Sequence, residues 1–181
     1  AIENKINDEW LVRDQGAIVR QLGTTPVDYT RSLILAEGGP DSCVKPFNPE
    51  DDIKGPYIER GNSNEWGKKY AAALSDIMCS DFTSIRQNYD RALVAELPGG
   101  RTAYSYDGID EFWMGLRASF PNAKFEVHHT IGLDEKMLSP RSAIRWSLSG
   151  KHDGLGAFGK PTGADVYIMG MAHAEYGALV T

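Results

Sequence analysis

Histidine side chains are the first candidates for acid/base chemistry in this sequence, because the unperturbed pKa of imidazole is about 6.5. His129 lies in an alternating segment in which Phe125, Val127 and Ile131 share its predicted face, so its ring is expected to point into the protein. His173 lies in a later apolar strand and is the second candidate. For both, a histidine held in the core by packing is the alternative interpretation.

The residue spacing gives no support to metal, nucleotide or nucleophile chemistry. The histidines form no i, i+4 pair, so no metal site is predicted. The run Gly154-Leu155-Gly156-Ala157-Phe158-Gly159 matches a dinucleotide fingerprint, but Pro161-Thr162-Gly163 and a strand follow it. A phosphate would need a helix N-terminus there. Cys43 and Cys79 stand in no Cys/His context that would make either a nucleophile.

The elements that must position these residues are helices in the first part of the chain and strands in the second. Residues Ile109, Phe112, Trp113, Leu116 and Phe120 form one helical stripe, which Pro121 ends. Helices are predicted over 25–37, 62–77 and 107–120, and strands over 89–97, 123–131, 142–152 and 165–176. This order predicts an α+β fold with helices packed on one face of a curved antiparallel sheet.

Composition excludes several functional classes. The chain has 181 residues, 41% apolar and 24% charged, which is typical of a folded globular protein. A net charge of −6 argues against binding to nucleic acids or to anionic membranes. No apolar run approaches the roughly 18 residues of a membrane span, and the first residues lack a signal-peptide pattern. A cytoplasmic protein is therefore expected.

Several motifs in the second half occur together in one known family. They are Phe120-Pro121, Arg145-Trp146, Gly150-Lys151-His152-Asp153-Gly154 and Pro161-Thr162-Gly163. In this order and spacing they resemble the SnoaL-like polyketide cyclases, which belong to the ketosteroid-isomerase-like and nuclear-transport-factor-like superfamily. The resemblance covers roughly residues 65–176. It implies a cone-shaped α+β barrel in which a curved antiparallel sheet wraps around N-terminal helices.

The start of the chain resembles the strand that closes the sheet in that family. The matching segment runs from Glu9-Trp10 through Asp14 to Gly23. Two arrangements would place the closing strand at the start of the chain. The chain is a fragment of a longer two-repeat protein, or the domain is circularly permuted. The expected organisation is a strand segment at 1–23, a helix and a Pro/Gly-rich linker at 24–64, and a SnoaL-like domain at 65–181. Residues 8–15 are expected to pair with the sheet, within the chain or exchanged into the partner of a homodimer.

The resemblance also implies the site. Asp14 matches the general acid/base of the closing strand, and an apolar pocket would raise its pKa towards neutrality. His129 and His173 complete the predicted catalytic set, in which a neighbouring His or Tyr orients the substrate oxygen. Plain core packing is the alternative for the predicted substrate-binding residues. These are Tyr89, Trp113, Phe125, Trp146, Met169 and Met171.

Two functions remain open from the sequence. One is a cofactor-independent acid/base enzyme, of the cyclase or isomerase type, acting on a hydrophobic carbonyl-bearing small molecule. The other is a non-catalytic small-molecule-binding or dimerisation module of the same fold. A buried Asp14 beside a second polar group would favour the enzyme, whereas a filled core and a solvated Asp14 would favour the module.

Overall fold

The computed structural model describes residues 6, 9–53, 55 and 59–177. The helices are α1 (Gln15–Gln21), α2 (Pro26–Ala36), α3 (Glu65–Met78), α4 (Thr83–Asn88) and α5 (Ser105–Ser119), with a short 3-10 turn at Pro40–Ser42. The strands are β1 (Val94–Leu97), β2 (Arg101–Tyr104), β3 (Lys124–Leu133), β4 (Arg141–Lys151) and β5 (Asp165–Glu175). No helix in the described ranges is both long and apolar enough to cross a membrane.

Helix α3 supplies much of the buried core. The Asn64 side chain caps it by accepting a hydrogen bond from the Trp66 N–H at 2.9 Å, so the helix begins after Asn64 and not at 62, where the sequence pattern predicts its start. Asn62 instead exchanges hydrogen bonds with Gly132 of β3. The buried face repeats at helical spacing and contains Gly67, Tyr70, Ala73, Leu74, Ile77 and Met78. This face packs against β3 and β4.

Helix α5 has the apolar stripe that the sequence predicts, and it buries Ile109, Trp113 and Leu116. It begins at Ser105 rather than Asp107, directly after the hairpin of β1 and β2. The predicted strand over 89–97 is shorter in the structure because residues 90–92 form a turn, in which the Asp90 carboxylate accepts from the Ala92 N–H at 2.7 Å.

Strands β3, β4 and β5 form an antiparallel sheet with β4 in the centre. Ile144, Trp146 and Leu148 of β4 point towards the helices, and we call this side the inner face. The alternate β4 residues Arg145 and Ser147 define the outer face. The α+β class is confirmed, but in the part of the chain that the structure describes the sheet does not close into a barrel.

A β-bulge in β3 reverses the predicted orientation of His129. Val127 pairs with Trp146, but His129 pairs with Arg145, so one extra residue lies between them. The extra residue moves every later side chain to the opposite face. Phe125 and Val127 therefore belong to the inner face, whereas His129 lies on the outer face. The expectation that His129 shares the face of Phe125 is wrong for this reason.

The N-terminal segment is not a strand. Residues 9–14 have no regular structure and pair with no strand, so the pairing predicted for 8–15 is wrong over the residues the structure describes; residue 8 lies outside them. The segment instead crosses the outer face of the sheet through side-chain contacts. The Trp10 ring lies 5.1 Å from the ring of His129 and 4.6 Å from the guanidinium of Arg145.

Candidate functional site

The structure places the predicted site residues in three separate regions. Tyr89, Trp113, Phe125 and Trp146 meet between the helices and the inner face of the sheet. His129, His173, Met169 and Met171 lie on the outer face. Asp14 caps helix α1 and lies in neither group. The predicted site is therefore not a single site, and each region has its own chemistry.

The inner aromatic cluster consists of Tyr70, Tyr89, Trp113, Phe125 and Trp146, brought together by α3, α5, β3, β4 and the end of α4. Trp146 stands in the middle, with ring centroids 6.1 Å from Trp113 and 5.6 Å from Phe125. Tyr70 and Tyr89 meet edge to face at 6.5 Å. Aromatic pairs at such distances contribute stability beyond burial alone.

Two polar atoms of this cluster, Tyr89 Oη and Trp146 Nε1, are buried and make no hydrogen bond of good geometry in the described structure, and the same holds for Ser142 Oγ four residues from Trp146 along β4. The Tyr89 hydroxyl lies near the Tyr70 hydroxyl and the Trp113 indole, and Ser142 lies near the Tyr176 hydroxyl. Ser142 belongs to the inner face of β4 and is 2% exposed. Burial of a polar group without a partner costs about 1–3 kcal/mol. A polar ligand group that reached these atoms would offset that cost.

Burial keeps the tyrosine hydroxyls of this region protonated. It raises the pKa of Tyr70 well above the ordinary value for tyrosine, and the nearby Tyr89 and Tyr176 hydroxyls add to the effect. Burial likewise raises the pKa of Tyr89, although the Tyr70 hydroxyl and the Trp113 indole near it act in the opposite direction. These groups therefore remain neutral hydrogen-bond donors at physiological pH. None of the described residues that are buried is Asp or Glu.

Asp14 is exposed and fully engaged by backbone groups. Its carboxylate accepts from the Ala17 N–H at 2.9 Å, and from the N–H groups of Gly99 and Gly100 at 2.8 and 3.0 Å. The Ala17 hydrogen bond is the main reason that the pKa of Asp14 is lowered; burial acts in the opposite direction, and the Gly99 and Gly100 hydrogen bonds and the charge of Arg20 lower it further. The expectation of a buried Asp14 with a raised pKa is wrong, because the side chain caps a helix.

Removing the Asp14 cap is expected to destabilise the protein by about 1 kcal/mol at pH 7. Asp14→Ala loses all three acceptor contacts, whereas Asp14→Asn keeps an acceptor oxygen and serves as the matched control. Because the folded-state pKa is lowered, the stabilisation by the charge is present above the unfolded pKa and is lost as the pH falls through the folded pKa. Urea unfolding of the wild type and both variants at neutral and acidic pH measures this stabilisation. Equal wild-type and Asp14→Asn stability at every pH would contradict the contribution of the charge.

The outer face holds a cavity of about 300 Å³ between the sheet and the N-terminal residues, which we call the outer-face cavity. Arg145 lies at its base, 3.9 Å from the carboxylate of Asp52, which also accepts from the Tyr167 hydroxyl at 2.6 Å. Met169 and Met171 line it, but His173 is exposed further along β5. Burial, followed by the charge of Arg145, lowers the pKa of His129 beside the cavity. His129 is therefore neutral at pH 7.

Sequence reasoning missed Ser142 and the pairing of Asp52 with Arg145. Ser142 could have been found, because it alternates with Ile144 and Trp146 on the face that the pattern assigns to the core. Asp52 could not, because 93 positions separate it from Arg145 and it lies in a segment without periodicity. Catalytic roles for Asp14, His129 and His173 stay predictions.

Comparison with known proteins supports the fold. No family model matches the sequence. No curated protein matches it either. Among solved structures, a candidate SnoaL-like polyketide cyclase from Jannaschia sp. CCS1 superposes with a TM-score of 0.50 at 11% identity, covering 64% of this chain and 82% of that one. AclR, a candidate hydroxylase from Streptomyces galilaeus, gives a TM-score of 0.48 at 17% identity, covering 61% and 77%. The chain thus has the SnoaL-like α+β fold, and the resemblance seen in the sequence is confirmed at that level.

Proposed function

We propose that this chain is a small-molecule-binding protein of the SnoaL-like fold that holds a hydrophobic, carbonyl-bearing ligand in its inner aromatic cluster. The observation that carries the proposal is that two donors of the cluster, the Tyr89 hydroxyl and the Trp146 indole N–H, are buried without a hydrogen bond of good geometry to an acceptor. An indole N–H can only donate, and a neutral tyrosine or serine hydroxyl can donate. A carbonyl oxygen, which only accepts, is the ligand group that suits the Tyr89 and Trp146 donors.

The same region argues for binding rather than proton transfer. A general base that removes a proton must lie within hydrogen-bonding reach of the ligand. The inner aromatic cluster includes no carboxylate, and Asp14 is solvated at the end of α1. Asp110 has one buried oxygen, but it lies outside the cluster and its other oxygen pairs with Arg86 at 3.2 Å. These observations favour the non-catalytic alternative over the cyclase or isomerase. Because the cluster side chains pack against one another, the ligand enters only as they rearrange, and the expected affinity is modest.

The test compares 1-tetralone with tetralin, a hydrocarbon of nearly the same shape that lacks the carbonyl. Wild-type protein is expected to bind 1-tetralone about two- to tenfold more tightly, which corresponds to one net hydrogen bond. Tyr89→Phe removes one of the two donors and keeps the ring, so the preference for 1-tetralone should fall below that of the wild type. Titration followed by tryptophan fluorescence measures both affinities.

Tyr104→Phe is the matched control, because Tyr104 is 67% exposed and lies on the hairpin rather than in the cluster. It should keep the wild-type preference for 1-tetralone. An equal preference in the wild type and in Tyr89→Phe would contradict the proposal, as would the absence of binding by both compounds.

A further inference from the structure

The outer-face cavity combines an apolar wall with more negative than positive charge. Among the residues that the structure describes, its charged lining residues are Glu9, Asp51, Asp52 and Arg145, three carboxylates against one guanidinium. Asp52 compensates Arg145, from which it lies 3.9 Å away. The uncompensated charge therefore comes from Glu9 and Asp51. At about 300 Å³ the cavity has the size of a small-ligand site.

The wall is made of side chains that suit an organic cation. Aromatic rings come from Trp10 and Phe47, and thioethers come from Met169 and Met171. Trp10 already stacks on one cation, the guanidinium of Arg145, at 4.6 Å. Met171 is 49% exposed and Phe47 is 47% exposed, so a ligand can reach both. Aromatic faces attract cations, and the effect increases as water is excluded.

We propose that the outer-face cavity is a second binding site, which takes an amphipathic organic cation such as an alkylammonium group attached to an apolar body. The apolar body lies on Met169, Met171 and Phe47, and the ammonium group faces Glu9 and Asp51. The carboxylates disfavour an anion at the same position. This site is separate from the inner aromatic cluster, from which the sheet divides it, and it does not depend on the function proposed above.

The test uses benzyltrimethylammonium, its neutral isostere neopentylbenzene and the anion phenylacetate, titrated at low ionic strength with the Trp10 indole resonance as the reporter. The cation should bind most tightly. The double variant Glu9→Gln/Asp51→Asn should lose about two- to fivefold of affinity for the cation per carboxylate and none for neopentylbenzene. Added salt should reduce the affinity for the cation alone.

Glu175→Gln is the control, since it removes the same charge from the far end of β5 without lining the cavity. It should bind the cation as the wild type does. Circular dichroism of the double variant establishes that the fold is retained. Equal binding of the cation and its isostere, preferential binding of phenylacetate, or no measurable binding of the cation would each overturn the inference. Tyr89→Phe should leave binding of the cation unchanged, so each of the two proposed sites can be contradicted without contradicting the other.

Discussion

Trp146→Ala is expected to lower the free energy of unfolding by about 3–5 kcal/mol, because it removes the central tryptophan of the inner aromatic cluster. Trp146 is 6% exposed, and its ring joins Trp113 of α5 to Phe125 of β3. Removing it leaves a cavity at the point where helices and sheet meet. Urea unfolding followed by far-UV circular dichroism measures the loss.

Trp10→Ala is the matched control for this experiment, because it removes the same side chain from the half-buried outer face. The loss in free energy of unfolding caused by Trp10→Ala should be less than half that caused by Trp146→Ala. A smaller loss for Trp146→Ala than for Trp10→Ala would show that the outer contacts, and not the inner aromatic cluster, hold the sheet to the rest of the chain.

Gly170→Ala is expected to destabilise the protein by about 1–3 kcal/mol, because the added methyl group overpacks the core. Gly170 of β5 lies opposite Trp146 in the register, and a Cβ built there would stand 2.1 Å from the Trp146 ring. Two carbon atoms that are not bonded to each other cannot approach so closely, so the ring or the strand must move. Urea unfolding and near-UV circular dichroism report the loss of stability and the displaced ring.

Gly177→Ala is the control, since a Cβ at Gly177 would meet no atom within 4 Å. Gly177→Ala should leave the free energy of unfolding nearly unchanged. In a Trp146→Phe background the smaller ring leaves room, so Gly170→Ala should cost clearly less than in the wild type. An undiminished cost in that background would contradict the assignment of the strain to the Trp146 ring.

Sequence patterning predicts the strongly periodic elements well. Helix α5 and strands β4 and β5 lie within a few residues of their expected positions, because each buries one regular stripe. The inner positions of Trp113, Phe125 and Trp146 follow from the same periodicity. These elements are enough to define the α+β class, whereas the SnoaL-like fold is expected from the resemblance of the motifs.

The orientation of His129 is not predictable from alternation alone. Alternation continues through the sequence, but the extra residue between Val127 and His129 is visible only in the pairing with β4. A bulge depends on the partner strand, and one residue of shift exchanges the two faces. The sequence therefore assigns the right strand and the wrong face.

The placement of Asp14 shows how local backbone chemistry can outweigh a motif. Resemblance to a closing strand predicts an inward carboxylate, yet an Asp three residues before Ala17 can accept its N–H and begin a helix. That capping pattern is present in the sequence. The contacts to Gly99 and Gly100 are more than 80 positions away and could not be predicted from it.

The most direct test of ligand binding in the inner aromatic cluster is a titration with 1-tetralone followed by the indole N–H resonances of the four tryptophans. We expect the resonances of Trp146 and Trp113 to shift, because the Trp146 indole N–H has no partner in the described structure and Trp113 lies beside it. The Trp66 indole, which donates to Asp134 at 3.3 Å outside the cluster, should not shift. A shift confined to Trp10, or no shift at all, would contradict binding in the inner aromatic cluster.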